Sequence, residues 1–175
     1  MQTRKRVVIH DLPDEVSAKL FSSIDHDFII INANKKAAKC IGCFKCWLQT
    51  PGYCGFCDHL NDIGQIVLSS RQLIIITQMV YGGLSVPVKR VIDRSIPGIT
   101  PFFKKRHGKL HHLQRYPTET AIRAIFYHTE QCTEEEKIQS ERYIQHMGIN
   151  YYSRHNEIIH VEGMVKHVDL SEENL

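Results

Sequence analysis

The sequence has no hydrophobic run long enough to cross a bilayer: its apolar stretches are strand-length, whereas a membrane helix needs about 20 residues. It has no excess of one charge either. The 22 basic and 19 acidic residues leave a formal net charge of +3, and the basic residues form no continuous block, which argues against a nucleic-acid partner. Internal repeats and low-complexity tracts are absent. The opening Met-Gln-Thr-Arg-Lys-Arg is basic but leads into only three apolar residues, so it is not expected to act as a signal peptide. These absences point to a cytoplasmic globular chain, expected to be one domain over residues 1–175. Its 42% hydrophobic and 23% charged residues suffice for an ordinary core. In that compartment six cysteines should stay reduced or hold a metal.

The stretch 73–94 organises the rest. Leu-Ile-Ile-Ile-Thr (73–77) is apolar without alternation, as suits a strand buried on both faces of a sheet. Gly82 and Gly83 then allow a tight turn or a close approach to a ligand. Ser85 reads as an N-cap with Pro87 in the first helical turn, and Val88, Val91 and Ile92 give the following helix one apolar face. Strand, glycine loop and helix make half of a βαβ unit. Ligands of open α/β sheets sit at the carboxyl ends of such strands, so residues 77–85 are expected to form one wall of a binding site.

Elsewhere, residues 7–9 and 28–31 read as buried strands and 16–21 as a short helix. Residues 58–70 carry Leu60, Ile63, Ile66 and Val67 at helical spacing. Residues 96–117, with three prolines and two glycines, read as a long and partly irregular loop of the kind that tends to be functional. A strand over 121–127 follows. A capping box at Thr133-Glu-Glu-Glu136 then opens a helix to about Met147, with Gly148 as its stop. A last strand is expected over 157–161 and a solvated tail from His167. The alternation predicts an α/β fold with a doubly wound parallel sheet, five strands in the order 2-1-3-4-5.

Five of the six cysteines lie within residues 40–57, a segment read as loop because it carries Pro51 and Gly52. The spacing is Cys40-x2-Cys43-x2-Cys46-x7-Cys54-x2-Cys57. Thiolates two residues apart can face one centre, and four of them suit an iron–sulfur cluster or a structural zinc; reduced thiols packed on a loop are the plain alternative. Cys132 stands apart, as a core or helix-cap residue.

Two motifs together carry a resemblance. Cys40-Ile-Gly-Cys-Phe-Lys-Cys-Trp47, with Thr50-Pro-Gly52, Cys54 and Asp58, resembles the cysteine loop of flavodoxin-like NAD(P)H-dependent FMN reductases. Thr77-Gln-Met-Val-Tyr-Gly82, with Ser85, Pro87, Lys89, Asp93 and Arg94, is similar to the flavin-ring loop and helix of the same family. The cysteine spacing through Cys54 is also similar to that of the iron–sulfur flavoproteins, which implies Cys40, Cys43, Cys46 and Cys54 as ligands of a four-iron four-sulfur cluster. The resemblance implies a flavodoxin-like three-layer fold and an FMN whose ring meets Thr77, Gln78, Met79, Val80, Tyr81, Gly82 and Gly83. It also implies a homodimer in which residues 43–47 approach 79–83, within one subunit or across the pair. The implied activity moves electrons from NAD(P)H or a protein donor to a small acceptor such as a quinone or flavin. A cofactor-depleted domain, or an iron–sulfur or thiol redox sensor, is the alternative.

The first loop departs from the family. Relatives have a Gly-Ser or similar turn and a Gly-Asn-Thr run there, whereas residues 10–17 contain Asp11, Asp14 and Glu15 and no glycine. Only Ser17 is left as a hydroxyl donor for a phosphate, and the carboxylates repel one. Gln78 stands where relatives usually have proline. Trp47 either lines the site or anchors its loop. Asp93-Arg94 either orients an interface or a phosphate or makes a salt bridge at the helix end. His107, His111 and His112, with Arg115 and Tyr116, form a basic aromatic segment that either covers the site or is simply solvated.

Overall fold

The computed structural model describes residues 4–22, 24, 26–106 and 108–168. Five strands make the expected parallel sheet: β1 (Arg6–His10), β2 (Phe28–Asn32), β3 (Gln72–Val80), β7 (Thr120–Tyr127) and β8 (Ser153–Val161), in the order β2-β1-β3-β7-β8. Among these five strands that is 2-1-3-4-5, with β3 in the middle. Its register runs Leu73 to Val7 on one side and Leu73 to Ile122 on the other. The unalternating run of β3 is explained by its two neighbours in the core. Leu73 and Ile75 face one hydrophobic layer, with Val88, Val91 and Phe126, while Ile74 and Ile76 face the other, with Val8, Leu12 and Ile125. The first layer is closed by α3 (Ile63–Leu68), α4 (Val86–Arg94) and α5 (Glu134–Asn150). The second is closed by α1 (Asp14–Leu20) and by Val165 and Val168. Val168, in the segment read as solvated, is thus a core residue; residues 169–175 lie outside the described ones.

Several local expectations are corrected. Residues 96–117 are not an irregular loop: after a 3-10 turn at Ile96–Gly98 they form an antiparallel hairpin, β5 (Ile99–Arg106) with β6 (Lys109–Gln114). Its exposed residues, consecutive from Phe102 to Lys105 and including Leu110 on the second strand, show no alternation from which a strand could be read. The cysteine segment is not all loop, because residues Lys45–Leu48 form one helical turn, α2. The helix expected over 58–70 is only α3, since Asp58 is drawn into side-chain bonds with Arg94 and with the amides of Ala38 and Leu60. Gly148 does not stop α5. The helix runs through it to Asn150, and a Cβ there would meet the Asn156 side chain of β8 at 2.5 Å. That glycine serves close helix–sheet packing. The capping box is present, with the Thr133 hydroxyl accepting from the Glu136 amide and the Glu136 carboxylate accepting from the Thr133 amide.

Candidate functional site

The carboxyl end of β3 carries the first half of the site. The strand extends to Val80, three residues further than its apolar run predicts, and returns at once as β4 (Gly83–Leu84), paired antiparallel as Met79 to Leu84 and Val80 to Gly83. The glycine loop is therefore a two-residue hairpin turn, with Tyr81 at φ 49° and Gly82 at φ 70°. Positive φ at both central residues is what the tightest hairpins require, and glycine takes it without strain. Gly82 also lies against α5, where a Cβ would stand 2.7 Å from the Glu136 carbonyl oxygen.

Strand alternation sorts the predicted ring-binding residues. Thr77 and Met79 point inward and are buried; Gln78, Val80 and Tyr81 are exposed, Tyr81 to 91%. The Thr77 hydroxyl accepts from the Ser85 amide (3.0 Å) and donates to the Gln78 carbonyl (3.1 Å), locking the start of α4 to the end of β3. Ser85 caps α4 by accepting from the Val88 amide. Gly83 is open, with only the Val80 carbonyl oxygen 3.5 Å from a Cβ position. The surface offered here is backbone and the Tyr81 ring, and the side chains of Thr77 and Met79 hold it from behind.

The second half is the cysteine segment. Cys40, Cys43, Cys46 and Cys54 line one cavity of about 60 Å³ with Phe44, Trp47, Phe56 and Arg94, and all are free thiols. Burial pushes the Cys46 thiol up, and Cys54, Cys40 and Cys43 push it further in the same direction. Four thiols therefore share one small space. As they stand, no group of three or more His, Cys, Asp or Glu among the described residues is set to hold a metal ion. The segment has three residues of positive φ, Gly42 (66°), Phe44 (57°) and Gly52 (94°), one between each successive pair of Cys40, Cys43, Cys46 and Cys54, which turn the chain there. Cys57 is exposed and outside this cavity's lining.

What holds the segment is Arg94, at the end of α4. Its side chain is fully buried and forms a two-pronged pair with Asp58 (2.8 and 2.9 Å) while donating to the Ala38 carbonyl (2.8 Å). Its guanidinium stands 5.4 Å from the Phe56 ring centre. The pair at the helix end is thus a brace across the cysteine segment, while Asp93 pairs with Lys89 on the helix itself. Trp47 is an anchor. Its indole N–H donates to the Ile99 carbonyl (3.1 Å), and its ring lies between Phe44 (5.4 Å) and His112 (5.2 Å).

The basic aromatic segment is knitted in rather than simply solvated. His111 bonds Asn150 (3.2 Å), His112 bonds the Thr100 carbonyl (2.8 Å), and Arg115 donates to the Pro97 carbonyl (2.8 Å). His107 lies outside the described residues. Cys132 is half-buried beside the His128 carbonyl, just before α5.

Within one chain the two halves do not merge. The turn precedes the start of α4 and the cysteine cavity is lined by its last residues, so they lie at opposite ends of a helix of nine residues, roughly 13 Å long. A cavity of about 810 Å³ lies elsewhere. It is lined by Arg6 and Phe28 at the starts of β1 and β2, by α1 and by residues 164–168, away from the carboxyl ends of the strands.

Sequence reasoning missed one constellation at the carboxyl edge. Asp11, directly after β1, accepts from the Gln78 amide (3.2 and 3.3 Å) and from the Tyr127 hydroxyl (3.1 Å). Burial, and then Asp11, push the Tyr127 phenol well above its ordinary range, so it stays a donor. Asp14 accepts from the Asn32 side chain (3.1 Å), and the Ser17 hydroxyl donates to the Asp14 carbonyl (3.0 Å). The signal in the sequence was the acidic pair flanking Pro13; its partners on β3 and β7 are set by the tertiary fold.

No family model matches the chain, and no curated protein matches it in sequence. Solved structures do match. An FMN-dependent NADH-azoreductase from Bacillus anthracis str. Ames Ancestor, in complex with FMN, is 15% identical with a TM-score of 0.56, covering 96% of this chain and 91% of that one. An azoreductase from Bacillus anthracis str. Sterne is 12% identical with a TM-score of 0.57, covering 91% of this chain and 87% of that one. A putative quinone reductase from Klebsiella pneumoniae is 13% identical with a TM-score of 0.52, covering 90% and 76%. At these identities the likeness establishes the flavodoxin-like fold.

Proposed function

We propose that this chain is a flavin-dependent oxidoreductase that passes electrons from NAD(P)H or a protein donor to a small acceptor such as a quinone or a flavin. The observation that carries the reading is the β3–β4 turn, a rigid, backbone-rich, aromatic-tipped surface at the carboxyl end of the central strand. In sheets of this order that edge is where the flavin sits, at the switch point between β1 and β3. The structural neighbours include an azoreductase solved with FMN, which makes FMN the reference cofactor.

The residues present fit the ring end of a flavin. The backbone of residues 79–83 and the Tyr81 ring would hold the isoalloxazine ring, with Thr77 and Met79 fixing that backbone from the core side. When bound, the flavin supplies the hydride and electron chemistry itself. The chain's task is to orient the ring and to exclude water from one face of it. No side-chain acid or base is required for hydride transfer, and none is placed at the turn. The exposed apolar residues Ile41, Phe44 and Leu48, with Phe102, Phe103 and Leu110 on the hairpin, give the face on which a homodimer would form and bring the two halves together across subunits.

The test is to incubate the purified chain with flavin, remove unbound flavin and add NADH or NADPH with a quinone acceptor. Flavin-dependent oxidation of the nicotinamide, lost when Gly82→Val distorts the turn, is expected. A chain that binds no flavin under any condition sinks the reading.

A second reading concerns the cysteine cavity. Cys40, Cys43, Cys46 and Cys54 line one small space beside the buried Arg94 guanidinium, and a four-iron four-sulfur cluster would require these thiols to rearrange, since as they stand no three among the described residues are set to hold a metal. Anaerobic reconstitution with iron and sulfide should give a brown protein, and Cys43→Ser should stay colourless. A wild-type chain that stays colourless defeats the cluster and leaves four reduced thiols.

A further inference from the structure

In a flavodoxin-like sheet the ligand's anionic end is expected beside the loop that follows β1, where free amides at a helix start usually receive it. Here several of those donors are used internally, and the amides left at the helix start belong to Asp14 and Glu15, residues with carboxylate side chains. The Asp11 amide donates to the Ile76 carbonyl, Pro13 has no N–H, and the amides of Val16 and Ser17 donate to the Pro13 carbonyl. Ser17 spends its hydroxyl proton on the Asp14 carbonyl. The helix that follows has only seven residues, opened by Asp14 and Glu15. The most conspicuous group is the Asp11 carboxylate. It takes the Gln78 amide of β3 on both oxygens and the Tyr127 hydroxyl of β7 on one, so a built-in anion ties together the ends of three strands.

We propose that Asp11 stands where a ligand phosphate would, so that this chain selects a flavin without phosphate, riboflavin, over FMN. The inference rests on the flavin reading above and concerns only the far end of the ligand. Few donors to a phosphate are left, while carboxylate oxygen is plentiful: Asp11 and Asp14 present it at this edge, and Glu15 follows in the first turn of the same helix. A phosphate brought alongside them is repelled. A ribityl chain carries no charge, so the same carboxylates do not repel it. The ring contacts at the β3–β4 turn are unchanged by the presence or absence of the phosphate.

Calorimetric titration of the intact chain with FMN and with riboflavin tests this. Riboflavin is expected to bind at least as tightly as FMN. Asp11→Asn is expected to tighten FMN by about tenfold, ~1.4 kcal/mol, and to leave riboflavin within about threefold of its starting affinity. Since Asp11 ties three strands, the double variant Asp14→Asn/Glu15→Gln, on exposed side chains, provides the same test without touching that knot. It should move FMN toward tighter binding and riboflavin not at all. FMN binding more tightly than riboflavin to the unmodified chain overturns the proposal, as do variants that shift both flavins equally. If neither flavin binds, the flavin reading itself falls, and this inference falls with it.

Discussion

Replacing Asp58 with alanine strands a buried charge. Arg94 has no exposed side-chain surface, and among the described residues Asp58 is its carboxylate partner, through two bonds of 2.8 and 2.9 Å. Without it the guanidinium keeps the Ala38 carbonyl and the Phe56 ring, neither of which carries a countercharge. Removing one partner of a buried pair costs about 3–5 kcal/mol, against about 5–15 kcal/mol for the total stability of a domain. With a urea slope of about 2 kcal/mol/M, the unfolding midpoint should fall by roughly 2 M. The damage should be local first, because Arg94 and Asp58 brace the cysteine segment: the thiols of Cys46 and Cys54 should react faster with a thiol reagent. The double variant Arg94→Met/Asp58→Ala leaves no charge behind and should recover at least half the loss, since a buried pair replaced by apolar groups is often near neutral. The Arg94 hydrogen bond, with the Ala38 and Leu60 amides, holds the Asp58 carboxyl well below the usual carboxylate range. Its contribution is complete above the unfolded value of about 3.9 and is lost as pH falls through the folded one. A midpoint for Asp58→Ala within about 0.5 M of wild type, with unchanged thiol reactivity, would refute the brace.

Three other outcomes follow from the geometry. Gly82→Ala should destabilise by about 1–3 kcal/mol in chemical denaturation, because φ is positive and a Cβ meets the Glu136 carbonyl oxygen at 2.7 Å. Gly83→Ala, whose Cβ has ordinary contacts, should be close to neutral. Trp47, the one tryptophan, loses a hydrogen bond to Ile99 and two ring contacts on substitution by leucine, so Trp47→Leu should expose the cysteines and lower stability by about 2–4 kcal/mol on the scale of large core truncations. Burial lowers both His10 and His160 below the ordinary histidine value, so each resists protonation in the folded chain more than in the unfolded one. The unfolded chain takes up those protons from about pH 6.5 downward. Stability should therefore fall as pH drops from about 6.5 toward 5, and His160→Gln should flatten that slope in a denaturation series.

The fold was legible in this chain where burial alone decides structure. The run 73–76 has no alternation because it is buried on both faces, and such a strand occupies the middle of a sheet. Ser85 and Thr133 announced their helices because a cap is a local bond, made within three residues. The hairpin β5–β6 was not legible, since its exposed phenylalanines and lysines answer to no core and its prolines read as breaks. Nor was the length of β3: Gln78 and Val80 are exposed alternately with buried Met79, a pattern too short to separate from a loop. Of the candidate site, the turn could be named from its adjacent glycines and the cysteine segment from the density of its thiols, while the set Cys40, Cys43, Cys46 and Cys54 came from the resemblance. The separation of the two along α4 could not be named, because it depends on where the segment after β2 is pinned, and Arg94 pins it from more than thirty residues away.

The first loop shows how a departure from pattern becomes a statement about ligands. Three carboxylates and no glycine in residues 10–17 say only that a phosphate is unwelcome. The structure adds that Asp11 satisfies the Gln78 amide and the Tyr127 hydroxyl, groups that would otherwise need an anion or water. Asp11 therefore contributes to folding whether or not a ligand is present. A chain that depends on its cofactor's phosphate for this edge would be stabilised strongly by that phosphate; one that supplies its own anion is not. Inorganic phosphate should accordingly leave the thermal midpoint of the ligand-free chain unmoved beyond its general salt effect, with sulfate as the control. A saturable, phosphate-specific rise would mean that this edge still receives a phosphate, and the argument from Asp11 would be wrong.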